Sequence, residues 1–357
     1  MKMNILEQTC QEIFPQDSHY RAQAQSRLEQ LALPYWALGD LMDLAIELAG
    51  ITRSIELSFE RKAVVTMAGD HGVVAEGVSK FPAEVTPQMV YNFVTGGAGI
   101  NALARQVGAE VCVVDMGVNA DLSGLAASGK ILDRKVGFGT NNIAHGPAMS
   151  IANARKAIEA GIDVANELGD RFDLFGTGDM GIGNTTPSSA IAAVVTGKPI
   201  EDLTGRGTGL DDQQLTQKVK TIKAVLEVNK PDPHNGLDIL AKVGGYEIGG
   251  IAGLILGAAA LKKPVVVDGF ISTAGALIAH KIEPFVKDYL IFAHRSVEPG
   301  HKYMQEVLGC QKPLLDLNLR LGEGTGAALA MNIVDAAAAV LTQIATFAEA
   351  AVASADK

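Results

Sequence analysis

A chain of 357 residues that is 48% hydrophobic and only 5% aromatic carries enough aliphatic side chain to bury a large core, in one large domain or one large and one small. Its formal net charge is −10, with no Lys/Arg cluster and no basic amphipathic helix, which argues against nucleic acid and membrane surfaces as partners. Three cysteines, Cys10, Cys112 and Cys310, include no CxxC pair, which points to a reducing, cytoplasmic setting without structural disulfides or zinc.

Residues 1–55 read as helices, with Leu38, Leu41, Leu44, Ala45 and Leu48 at helical spacing. Residues 62–68 read as a first buried strand, closed by Gly69, Asp70, His71 and Gly72. Helical patterns follow at 87–95 and 100–107, then a second strand at 110–116 and a helix at 150–168. A third strand at 173–175 runs into a glycine-rich loop that opens a helix at 188–195. Helical patterns at 211–229 and 236–260 precede a fourth strand at 264–268. A helix at 272–280 and a fifth strand at 289–293 come next, and the Ala-rich stretch 327–354 reads as helix paired with the N-terminal helices in a smaller lobe. Short aliphatic strands alternating with helices predict an α/β fold with a parallel sheet. The polar and glycine-rich groups all follow strands, where open α/β sheets bind ligands.

The segment 176–187, GTGDMGIGNTTP, is the strongest chemical signal. Its glycines permit tight turns and close approach, and Asn184, Thr185, Thr186 and Pro187 suit the start of a helix. A helix N-terminus offers free N–H groups and a partial positive charge to a phosphate. Gly176, Gly178 and Gly181 also match a dinucleotide fingerprint, with Glu201 spaced as a ribose-binding acid, so a nicotinamide-dependent dehydrogenase is a competing reading. Against it, the match lies mid-chain, and the hydroxyl and amide groups that follow suit a terminal phosphate. A second loop, LTGRGTGL at 203–210, carries Gly205 and Gly207 ahead of Lys218. It is either a plain connector or a second anion site whose charge Lys218 supplies. Near the other end, LGEGTG at 321–326 isolates Glu323 among small residues. Partial burial would raise its pKa toward that of a useful general base. Asp70 and His71 are either a catalytic pair or partners for loop amides. There is no GxSxG, HExxH or Walker-type motif.

These blocks, together with 69–79, 85–89, 92–101, 242–247 and 319–326, resemble the nicotinate-nucleotide:5,6-dimethylbenzimidazole phosphoribosyltransferase family from about residue 35 to 345. The resemblance implies a Rossmann-like catalytic domain at 56–326, with parallel sheet flanked by helices, and a small helical domain built from 1–55 and 327–357. It implies transfer of phosphoribose from nicotinate mononucleotide to an aromatic base, giving the α-ribotide and nicotinate, with no cofactor and no metal. It implies Glu323 as the base that takes the acceptor's proton. Asp179, Gly181, Gly183, Asn184, Thr185, Gly205, Gly207 and Lys218 would hold the donor's phosphate and ribose, and Ser79, Phe81, Gln88 and Leu321 the acceptor. Two positions depart from the family's usual pattern. Asp179 stands where Glu is usual, setting the carboxylate back by roughly one C–C bond, ~1.5 Å, and Gly99 stands where Ala is common. The resemblance implies a homodimer, while these departures leave open a paralogue that activates phenols, one that works as a subunit of a heteromer with a paralogue, or a partner subunit that has lost efficient catalysis.

Overall fold

The computed structural model describes residues 3–207 and 209–353. Six strands form one sheet: β1 (Lys62–Gly69), β2 (Ala109–Gly117), β3 (Leu132–Asp133), β4 (Leu174–Met180), β5 (Val265–Val267) and β6 (Leu290–Phe292). All neighbours pair in parallel, in the order β3-β2-β1-β4-β5-β6. This is the Rossmann-type order, whose direction reverses between β1 and β4. Side chains alternate across the sheet, so Ala63, Val65 and Met67 join one apolar cluster while Val64 and Ala68 join the other. Both faces are therefore covered, which is why the strands read as unbroken aliphatic runs. The helices Ile151–Gly169, Thr185–Thr196, Tyr246–Ala260 and Phe270–Ile282 cover one face. Asp40–Thr52, Gly99–Gln106 and Thr325–Gln343 cover the other.

Three predicted elements differ in extent. The third strand continues to Met180, so Gly176 and Gly178 lie inside the sheet instead of in a loop. A β-carbon at Gly176 would crowd Met331 and Ala327, and one at Gly178 would strike the backbone of Glu323. Glycine here admits the Thr325–Gln343 helix and the turn before it. The helix expected over 236–260 breaks into Gly236–Val243 and Tyr246–Ala260. Gly245 at the break lies too close to the Glu247 carboxylate and the His71 ring to carry a side chain. The two-residue edge strand β3 was too short to register as a pattern.

The N-terminal helices divide between the two faces. Ile5–Gln11 packs on Ile151–Gly169 and Tyr246–Ala260, whereas Asp40–Thr52 packs on Ser18–Leu28 and Thr325–Gln343. Thr325–Gln343 is long and apolar enough to cross a bilayer, yet it lies against β4, β5 and these helices, most of it buried.

The tightest helix pairing joins Ile151–Gly169 to Tyr246–Ala260 through Gly161, Gly249, Gly253 and Gly257. A β-carbon at Gly253 would collide with the Ile158 carbonyl. In an open helix Gly→Ala stabilises by ~1 kcal/mol. Here Gly253→Ala should instead destabilise by ~1–3 kcal/mol, because the backbones must part. Chemical denaturation checks this, and a raised midpoint would show that the crossing has slack.

Candidate active site

At the carboxyl ends of β4, β5 and β6 lies a cavity of about 460 Å³, a size suited to a small organic ligand. Asp179, Gly181, Asn184 and Thr185 line it from the end of β4 and the turn beyond; Gly269 and Phe270 follow β5, and His294, Ser296 and Glu298 follow β6. Phe81, Val85 and Met89 close one side, and Arg320, Leu321 and Glu323 another. Thr185–Thr196 and Phe270–Ile282 begin at its wall, and Gly99–Gln106 and Thr325–Gln343 begin beside Glu323. The starts of Thr185–Thr196 and Phe270–Ile282 thus face the cavity, where the positive end of a helix suits an anion, whereas the first-turn N–H groups of the other two are taken by the Glu323 and Asp268 carboxylates.

Glu323 is buried, and its backbone takes the left-handed conformation at φ 64°, between Gly322 at 80° and Gly324 at 95°. Such a conformation is unfavourable for a residue with a side chain and is found where the surroundings impose it. Here several contacts impose it. The Thr66 hydroxyl donates to the Glu323 carbonyl at 3.0 Å. Asp268, at the end of β5, accepts from the N–H groups of Gly324 (3.2 Å), Gly326 (2.7 Å) and Ala327 (3.1 Å). The Ile100 N–H, in the first turn of Gly99–Gln106, donates to Glu323 Oε2 at 3.0 Å. Burial pushes the Glu323 pKa up; the backbone N–H groups of Ile100 and Gly99 oppose the rise and the Asp268 charge adds to it. A β-carbon at Gly99 would lie 2.9 Å from Leu321 Cδ2 and 3.3 Å from Glu323 Oε2, so glycine leaves room beside both.

Asp179 is also buried, and its Oδ2 accepts from the Asn184 amide at 2.9 Å. Burial first, then the Asp268 charge, holds its pKa well above the carboxylate range, with Glu247 and Glu323 adding to the rise and Asn184 opposing it. Asn184 spends its side chain on this contact and does not cap the helix it precedes. Lys218 is fully buried behind the wall, where Nζ donates to Thr185 Oγ1 at 2.8 Å and to the Gly205 carbonyl at 3.2 Å. Burial pulls its pKa down to about 8, with Glu298 opposing.

Phe81, Asp179, Gly181, Asn184, Thr185, Gly207, Leu321 and Glu323 thus come together around one cavity. Gly183 makes the turn behind it at φ 88°, and Gly205 and Lys218 stand directly behind Thr185 and Gly207. Ser79 is half-buried beside the rim and accepts from the Phe81 N–H at 3.2 Å. Gln88 is exposed on the helix Val85–Thr95, which turns Val85 and Met89 toward the cavity instead. Glu201 pairs with Lys223 at the surface, away from the cavity. With Gly176 and Gly178 inside β4, the dinucleotide fingerprint has neither its loop nor its ribose acid.

Motif reading missed Asp268, Glu298 and Arg320 as parts of this site. Asp268 carried a signal, an acid ending a strand just before a glycine; Arg320 lies inside the 319–326 block, where Glu323 took the attention, and only Glu298 sits in a segment with no pattern. His294, Ser296 and His301 form no triad. The Ser296 N–H donates to His301 Nδ1, which directs the proton of Nε2 to Thr273 Oγ1 at 2.9 Å. Burial pulls the His301 pKa to about 3, so the ring is neutral. His71 forms a buried pair with Glu247 at 2.7 Å, beneath Gly181. Burial lowers the His71 pKa, but Glu247 outweighs it and the net shift is upward. Asp70 accepts from the Asn119 N–H at 2.7 Å. The pair therefore ties loops together below the site. Among the described residues, no group of three or more His, Cys, Asp or Glu is placed to hold a metal.

A phosphoribosyltransferase family model matches residues 13–352. The nicotinate-nucleotide–dimethylbenzimidazole phosphoribosyltransferase of Desulfotalea psychrophila is 66% identical, over 99% of this chain and 100% of its own. The enzyme of the same name from Syntrophotalea carbinolica is 57% identical, over 98% and 99%. The crystal structure of CobT from Thermus thermophilus superposes with a TM-score of 0.88 at 45% identity, covering 94% of this chain and 99% of that one.

Proposed function

The chain belongs to this phosphoribosyltransferase family, and on that footing we propose that it moves phosphoribose from nicotinate mononucleotide to 5,6-dimethylbenzimidazole, with Glu323 as the base. The observation that carries the assignment is the buried carboxylate of Glu323, on a left-handed backbone, facing a cavity with the start of the Thr185–Thr196 helix at one end and apolar side chains along one wall. The donor phosphate lies against the turn at Gly181, Asn184 and Thr185 and the loop at Gly205 and Gly207, with Lys218 behind. The flat acceptor lies among Phe81, Met89 and Leu321, within reach of Glu323.

The donor ring is a pyridinium, so it departs as neutral pyridine nitrogen without further activation. The acceptor's imine nitrogen attacks the anomeric carbon from the opposite face. The new C–N bond forms as the bond to nicotinate breaks, and that electron pair neutralises the pyridinium. Positive charge passes to the benzimidazole, whose N–H proton goes to Glu323. Positioning and proton removal carry the catalysis.

Incubating the purified chain alone with nicotinate mononucleotide and either 5,6-dimethylbenzimidazole or phenol, with products identified by mass, tests the reading. The expected product is the α-ribotide of dimethylbenzimidazole. Preferred transfer to phenol would assign the chain to a phenol-activating branch, and no product from either would point to a missing partner chain. A dimer, of identical chains or with a paralogue, belongs to the same reading, as does a small helical domain at 1–55 and 327–357. So does a cytoplasmic location, which the three free thiols support.

A further inference from the structure

Glu298 is a buried carboxylate in the loop after β6 that no motif marks. Its Oε1 accepts from the Gly207 N–H at 3.1 Å, and its Oε2 is buried without a partner. The same side chain fills the space where Gly205 would carry a β-carbon. Its own backbone is fixed, since its N–H donates to Ser296 Oγ at 3.3 Å and its carbonyl accepts from the His301 N–H at 3.0 Å. From the other side, Lys218 holds the Gly205 carbonyl and the Thr185 hydroxyl. Arg320 donates to the Gly207 carbonyl at 3.2 Å. The turn at 205–207 is thus gripped by a carboxylate and two cations, and Glu298 and Lys218 meet through it.

The other ionisable groups on the elements around Lys218 are engaged elsewhere or face water. Glu201 pairs with Lys223, Arg206 with Asp212, and Asp238 with Lys242. Asp202 is exposed. That leaves Glu298 to offset the desolvation of the Lys218 ammonium.

We infer that Glu298 is a positioning residue for the donor: it pins the turn at 205–207 through the Gly207 N–H and keeps the Lys218 ammonium charged for the donor phosphate. This deepens the assignment of Lys218 to the donor made above and rests on it. An ammonium buried this deeply loses its proton as the solution turns alkaline, and removing the nearby carboxylate makes it lose the proton sooner.

The test is the pH dependence of kcat/KM for nicotinate mononucleotide, which reports groups of the free enzyme, in the wild type and in Lys218→Met, Glu298→Gln and Glu298→Asp. The wild type should lose efficiency above pH ~8, the value burial gives Lys218, and Lys218→Met should lack that limb. Glu298→Gln should move the limb about one pH unit toward acid. Glu298→Asp keeps the charge and should restore the limb. If Lys218→Met matches the wild type, the assignment of Lys218 fails and this inference with it. If Lys218→Met removes the limb but Glu298→Gln leaves it in place, the assignment stands and the role of Glu298 is overturned. Equal movement of the limb in the Gln and Asp variants would also overturn it, because loop disturbance and not charge would then be the cause.

Discussion

Glu323→Gln should lower kcat by about 10²–10⁴-fold, the usual worth of a positioned general base, while nicotinate mononucleotide still binds as in the wild type. The amide is isosteric, and its carbonyl oxygen can still accept the Ile100 N–H that now reaches Oε2. What it cannot do is take a proton. The wild-type rate should fall on the acid side, because protonated Glu323 is no base. The inflection should sit above the ordinary carboxylate range, since burial and Asp268 raise the pKa against the Ile100 and Gly99 amides. Asp179 has its own raised pKa in the same cavity, so the observed limb belongs to the two together. Glu323→Gln should abolish proton-removal catalysis, whereas Asp179→Asn should leave it while altering donor binding.

Stability provides a control with the opposite sign. A carboxylate whose folded pKa is raised binds its proton more tightly when folded, so its ionisation costs stability as pH rises from the unfolded pKa through the folded one. At neutral pH, Glu323→Gln should therefore melt no lower than the wild type. Near-normal turnover in this variant would remove Glu323 as the base, and a lowered melting point would mean that the carboxylate serves the fold.

The sheet was legible because its strands are aliphatic runs between helices, and a chain whose sheet is covered on both faces has little other choice. The site was legible where chemistry is local in sequence: Glu323 between its glycines, and Gly181 through Thr185 leading into a helix. It was illegible where the relation spans the chain. Gly178 read as loop because its reason for being glycine is the Glu323 backbone lying over it, from far along the chain, a contact that exists only once β4 is in the sheet. Asp268 read as the end of a strand, while its partners are the amides of Gly324, Gly326 and Ala327. The helix carrying Gln88 was foreseen, but the face it presents is decided by packing, and Val85 and Met89 took the cavity side.

Asp268→Asn tests whether that long-range contact sets the chemistry. The wild-type carboxylate receives three N–H groups, two on Oδ1 and one on Oδ2. An amide offers one oxygen and one NH₂, so whichever way it turns, a donor faces a donor. With the oxygen kept toward Gly326 and Ala327, the NH₂ confronts the Gly324 N–H and the left-handed turn at Glu323 loses its tether. A displacement of about 1 Å at a reacting group can cost on the order of 10² in rate, and kcat should fall by about that factor. The substitution also removes a negative charge that helps to raise both the Glu323 and the Asp179 pKa. The acid limb of the rate should therefore move toward lower pH even as the plateau drops. A collapse of the fold would lower the plateau without moving the limb, so the two are separable in one titration. A wild-type plateau with an unmoved limb would show that Thr66 and Ile100 hold Glu323 without help from Asp268.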